Sequence, residues 1–72
     1  MNLVKFGIVI EKGEHNYSAY VPDLPGCIAA GATVEDTKER IKEAVQLHLE
    51  GLREDGDRIP IPITVCDSVE VM

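Results

Sequence analysis

The chain has 72 residues with 13 acidic and 7 basic side chains, a formal net charge of −6. At this length one domain forms and buries only roughly 60% of its unfolded surface, while the negative charge disfavours phosphate backbones and favours a basic partner. No apolar run approaches the ~18 residues of a membrane span. Met1 to Lys12 also lacks the basic start and cleavage site of a secretory signal, so the expected location is cytoplasmic.

Residues 3–11 read LVKFGIVIE, where Val4, Phe6, Ile8 and Ile10 alternate with Lys5, Gly7 and Glu11. Period two marks a half-buried strand. The polar stretch Lys12 to Asn16 is a turn, and Tyr17-Ser18-Ala19-Tyr20-Val21 is a second strand of a hairpin. Pro22-Asp23-Leu24-Pro25-Gly26 is a rigid turn, since two prolines fix φ and remove two donors and a glycine permits φ > 0. Cys27 to Ala30 fit a short third strand closed by Gly31.

Thr33 is the expected helix N-cap, with Asp36 three residues on in a near capping box. Val34, Thr37, Ile41, Ala44, Val45, His48, Leu49 and Leu52 form one helical stripe over residues 34–54, and Gly56 stops it. Asp36 and Arg40 make an i,i+4 pair of opposite charge. Ile59-Pro60-Ile61-Pro62 is extended. Ile63, Val65, Val69 and Val71 alternate with polar residues as a last strand, with Asp67 marking a bulge or an early end. A crossover helix between the third and fourth strands favours a parallel return. One helix covers one face of such a sheet and leaves the other wet or covered by something else.

No catalytic or metal template fits. His15, His48, Cys27 and Cys66 are scattered and lack zinc spacing. Cys27 has no adjacent activating group and reads as a small core residue. The two thiols are expected to be reduced. Glu54-Asp55-Gly56-Asp57 lacks the ligand spacing of a calcium loop, and no phosphate-cradling glycine loop is present. No cofactor and no metal are therefore expected. A residual nuclease would need several converging carboxylates, and only Glu11 and Asp23 stand near strand ends.

The run Tyr20-Val21-Pro22-Asp23-Leu24-Pro25-Gly26-Cys27 is followed by Gly31, Thr33 and Glu35. Then come Glu43-Ala44, Leu47, Leu49-Glu50-Gly51-Leu52, Gly56 and Ile59-Pro60-Ile61-Pro62. This pattern, over about residues 6–63, resembles the N-terminal domain of the HicB family of antitoxins. The resemblance implies an α+β fold, β-β-β-α-β, with a four-stranded sheet of order 3-2-1-4, one helix on one face and a degraded ribonuclease H-like character. It also implies a partner, a small basic HicA-like toxin that cleaves RNA with a histidine and is masked on binding. Longer members carry a C-terminal DNA-binding module. Here residues 1–72 are expected to be a single HicB-like domain without one, and direct nucleic-acid binding is not expected.

The leading expectation is a toxin-masking antitoxin domain that is not an enzyme. Tyr20, Asp23, Leu24, Pro25 and Gly26 are its candidate partner-binding residues. The alternative is a stand-alone homo-oligomeric domain, regulatory or small-ligand-binding. A homo-oligomer, dimer or tetramer, is expected on either reading, because so small a core has no disulfide or metal to support it.

Overall fold

In the computed structural model, which describes residues 4–72, each element begins and ends where local chemistry dictates. Three strands, β1 (Val9–Lys12), β2 (Tyr17–Tyr20) and β3 (Ile28–Gly31), precede one helix, α1 (Val34–Glu54). The strands form one antiparallel sheet in the order β1-β2-β3. Val9 pairs with Tyr20 and Tyr20 with Ile28, while Ile10 pairs with Ala19 and Ala19 with Ala29. Alternation then divides the sheet into two faces. Phe6, Ile8, Ile10, Ala19 and Ala29 face α1, and Val9, Tyr20 and Ile28 face away.

The first strand is shorter than its sequence pattern. Leu3 lies outside the described residues, and residues 4–8 are extended without a ladder. The reason is geometric: Val9–Tyr20 is the last pair with β2, and just beyond Tyr20 the neighbouring chain turns away at Pro22. Phe6 and Ile8 still pack on the core, so apolar burial fixes this stretch where hydrogen bonding does not.

The helix ends follow their caps. The Thr33 side chain accepts a hydrogen bond from the Asp36 amide at 3.0 Å. Asp36 Oδ2 accepts from the Ala32 amide at 3.2 Å and from Arg40 Nε at 3.2 Å. The shorter aspartate thus reaches the residue before the cap, and the expected Asp36–Arg40 pair forms. At the other end Gly56, at φ 72°, donates to the Arg53 carbonyl and Asp57 donates to Leu52, the paired bonds of a Schellman ending.

The expected fourth strand over 63–71 has no ladder in this structure: residues 57–72 form no strand. Pro60 and Pro62 have no amide to give a ladder. The Ile63 and Thr64 amides go to a side chain, Asp23. Beyond Thr64 no backbone bond joins the segment to β1, and Val65, Val69 and Val71 are more than 80% exposed. The segment does lie against β1's extension, because Cys66 Sγ approaches the Ile8 carbonyl at 3.7 Å.

Candidate partner-binding surface

The connection from β2 to β3 is two tight turns joined end to end. The Leu24 amide donates to the Val21 carbonyl at 3.0 Å, and the Cys27 amide donates to the Leu24 carbonyl at 3.0 Å. Each turn has a proline at its second position, Pro22 in one and Pro25 in the other, where a φ near −65° is required. Gly26 follows Pro25 at φ 84°, the third position of a type II turn, which favours glycine. A Val21 amide to Cys27 carbonyl bond of 3.2 Å closes the whole connection.

These bonds turn the loop inside out relative to an ordinary surface connection. Val21, Leu24 and Cys27 point inward and, with Ala19 and Ile41, are the buried hydrophobic residues of the core. Leu24 has no exposed surface at all. Pro22, Pro25 and Gly26 are exposed. Burial pushes the Cys27 thiol pKa up, so it remains a neutral core group, as its sequence context indicates.

Asp23 is held by a distant partner. Its Oδ2 accepts from the Thr64 amide at 3.1 Å and the Ile63 amide at 3.2 Å, and Oδ1 accepts from the Thr64 hydroxyl at 2.9 Å. The Thr64 amide, with help from the hydroxyl and the Ile63 amide, draws the Asp23 pKa below its ordinary 3.8 against partial desolvation. The carboxylate therefore tethers the C-terminal segment to the turn.

The five candidate residues thus divide. Pro25 and Gly26 form an exposed tip, Leu24 and Asp23 hold that tip in place, and Tyr20, 42% exposed, lies on the sheet face away from α1. Sequence reasoning missed Ile63 and Thr64, which sit 40 and 41 residues from Asp23 and carry no local signal. It also missed Ile28, 70% exposed, which the strand register sets beside Tyr20.

Charge is uneven as well. Residues 43–57 carry five exposed acids, Glu43, Glu50, Glu54, Asp55 and Asp57, against Arg53 alone. The 21-residue helix starts beside the end of β3 and at 1.5 Å per residue is about 31 Å long. A four-residue strand spans only about 13 Å. The second half of α1 therefore runs back past the sheet to the end that carries the Pro22–Gly26 turn. Among the described residues no three His, Cys, Asp or Glu side chains gather as a metal-holding group, and no helix is long and apolar enough to cross a membrane.

Comparison with known proteins places this arrangement. A family model described as a HicB-like antitoxin of a bacterial toxin–antitoxin system matches residues 6–71. The chain belongs to this family. Its fold is similar to a chain of the solved HicA3 and HicB3 toxin–antitoxin complex, with a TM-score of 0.71 and 33% identity, over 83% of this chain and 70% of that one. Two relatives carry the same domain in different lengths of chain. A 14.9 kDa protein of Haemophilus phage HP1 is 42% identical over 55 residues, which are 76% of this chain but 41% of that one. A UPF0150 protein of Archaeoglobus fulgidus is 43% identical over 63 residues, 83% of this chain and 91% of that one. The chain thus spans less than half the length of the phage relative and nearly all of the archaeal one. Membership of this HicB-like family agrees with the resemblance read from the Pro22–Cys27 run and the helix that follows it.

Proposed function

We propose that this chain is an antitoxin that binds and masks a small, basic, RNA-cleaving toxin without catalysing any reaction itself. The observation that carries the reading is the likeness to a chain of a toxin–antitoxin complex at 33% identity. The charge distribution supports it. A protein that grips RNA presents a basic surface, and the acids at the C-terminal end of α1 and just past it, Glu50, Glu54, Asp55 and Asp57, at the same end as the Pro25–Gly26 tip, are complementary to such a surface. Complementary fields of this kind raise encounter rates and exclude wrong partners. Tyr20, Pro25 and Gly26 supply apolar contact on this reading, and Asp23 and Leu24 act as positioning residues that hold the tip. The order 3-2-1-4 belongs to the same proposal. Residues 63–71 add beside β1 as a parallel fourth strand, which would cover the apolar cleft lined by Phe6, Ile8, Ile41 and Val45.

The test is reconstitution with a HicA-type toxin encoded beside this chain. Equimolar protein is expected to abolish RNA cleavage. Changing Glu50, Glu54 and Asp55 together to Lys is expected to slow association at least about tenfold at low salt and less at high salt. Full RNase activity in the presence of excess protein would overturn the reading.

A further inference from the structure

The helix leaves one strip of the sheet's inner face uncovered. Ile41 is buried in the core, but Phe6 and Ile8, on the extension of β1, are only half-buried. β1 is an edge strand, so its extension meets α1 on one side and has no ladder partner on the other. The result is a cleft of about 290 Å³, floored by Phe6 and Ile8 and walled by Ile41 and Val45. The C-terminal segment does not line it. Its Cys66 and Thr64 side chains lie against Gly7 instead, and alternation with Phe6 and Ile8 puts Gly7 on the opposite face. The rim of the cleft is cationic in an acidic chain. Lys38 and Lys42, one turn apart on the flank of α1, both line it, with Glu39 between them in sequence. Cations thus outnumber acids there two to one, where the whole chain has 13 acids and 7 bases. Among the described residues the close ion contacts are Asp36–Arg40 and Glu14–His15, so both lysines are unpaired.

We propose that this cleft binds a small carboxylate with a short apolar tail. The tail lies on Phe6, Ile8 and Val45, and the carboxylate meets the ammonium groups of Lys38 and Lys42. Charge chooses the class of ligand. Two unpaired cations at the mouth of an apolar hollow favour an anion whose other end is apolar, and they repel the basic surface that suits the acids at the far end of α1. The cleft is therefore a separate site. The side chains suit the task, because a lysine lays its methylene stem along apolar surface and keeps its charge in water. Size sets the limit. The volume is close to the ~300 Å³ at which small-molecule pockets begin, so the cleft takes a tail of side-chain dimensions, whereas a helix about 10 Å across does not enter it. A fourth strand added beside β1, as proposed above, would lie in the plane of the sheet. It would close the outer side of the cleft and leave the mouth at the two lysines open.

The test titrates octanoate, octanol and octylamine into the full chain, followed by calorimetry and by methyl resonances. Octanoate is expected to bind one to one with a Kd of about 1 mM or tighter. It is expected to shift the methyls of Ile8, Ile41 and Val45 while those of Val69 and Val71 stay in place. Octanol, which has the tail without the charge, is expected to bind at least about tenfold more weakly, and octylamine more weakly still. Lys38→Glu with Lys42→Glu, two exposed positions, is expected to weaken octanoate at least about tenfold and to reverse the order of octanoate and octylamine. The far-ultraviolet circular dichroism of that variant is expected to stay that of the parent. Val45→Phe puts a ring into the cleft and is expected to abolish binding of all three probes. The lysine variant keeps the test decisive if Val45→Phe misfolds. No saturable binding of octanoate, equal binding of octanol, an affinity unmoved by the lysine changes, or shifts confined to the C-terminal segment would each overturn the proposal. The chain is titrated without a toxin, so none of these outcomes depends on whether one binds.

Discussion

Residues 4–10 and 63–71 carry nearly the same message, an apolar residue at every second position, yet one stretch is built into the protein and the other is not. Phe6, Ile8 and Ile10 pack on the core. Val65, Val69 and Val71 stand in solvent, as does Ile63. Neither stretch has a complete ladder, so hydrogen bonding does not explain the difference. Position does. The first stretch leads directly into β1 and lies across α1, where Ile41 is 1% exposed. The second follows two prolines and is held at its start by Asp23 and by the approach of Cys66 to Ile8. Alternation specifies which side of a strand is apolar, and only a neighbouring surface turns that into burial.

The largest expected effect breaks this comparison at its two extremes. Leu24→Ala removes a side chain with no exposed surface and leaves a cavity under the turn. A loss of about 2–5 kcal/mol is expected, which in a domain of this size lowers the midpoint of thermal unfolding by roughly ten degrees or more. Val69→Ala, at a position 87% exposed, is expected to stay within about 0.5 kcal/mol of the parent. Urea unfolding of the two variants makes the measurement. A comparable loss at Val69 would show that the C-terminal segment is buried in solution and would erase the distinction between the stretches.

What could be read from the sequence follows the range of the interactions. The helix was legible to the residue, because its N-cap, stripe and stop all lie within a few positions of one another. The hairpin and the Pro22–Gly26 turn were legible for the same reason, through proline and glycine φ preferences. The identity of that turn as a core element was not, since Leu24 looks like any loop leucine until Ile41 is packed beside it. The Asp23 tether was also invisible, because it joins residues 40 apart in sequence. The fourth strand's pattern was present in the sequence, but beyond Thr64 no backbone hydrogen bond joins it to the sheet in this structure, because alternation alone supplies no neighbouring ladder. Among the candidate site residues, exposure at Pro25 and Gly26 was foreseeable, and the pairing of Tyr20 with Ile28 needed the strand register.

A smaller effect tests how far α1 depends on its own local signals instead of on the sheet. Thr33→Ala removes the acceptor for the Asp36 amide and is expected to lower stability by about 1 kcal/mol, or about 4–8 °C in unfolding midpoint. Thr33→Asn, which can cap equally well, is expected to recover most of that loss. If both variants matched the parent, the first turn of α1 would be held by Thr37, whose hydroxyl donates to the Thr33 carbonyl at 2.7 Å, and the cap would be redundant.

The smallest effect on global stability is the most local, and it concerns the join between the two regions. Asp23 has a pKa lowered from 3.8 by the amide and hydroxyl donors of Thr64 and Ile63. The bonds favour the ionised form, so the folded value lies below the unfolded one. The contribution of the tether is then complete above the unfolded value and disappears as pH falls through the folded one. Between neutrality and about pH 5 nothing is expected to change. Below pH 3.8 the carboxyl protonates and the Ile63 and Thr64 amides lose their acceptor. Amide proton resonances of those two residues are expected to shift together with an acid midpoint under 3.8, while Ala19 and Ile41 at the core keep their positions until the whole domain unfolds. The Asp23→Asn variant has no titrating carboxyl, and its Ile63 and Thr64 amides are expected to show no such midpoint. It is also expected to exchange these amides with solvent faster at neutral pH, with the sheet and helix protected as before. If the Asp23→Asn change left their exchange unaltered, the C-terminal segment would be held by contacts other than the tether. The two regions would then be joined through the Cys66–Ile8 approach along β1, not through the turn.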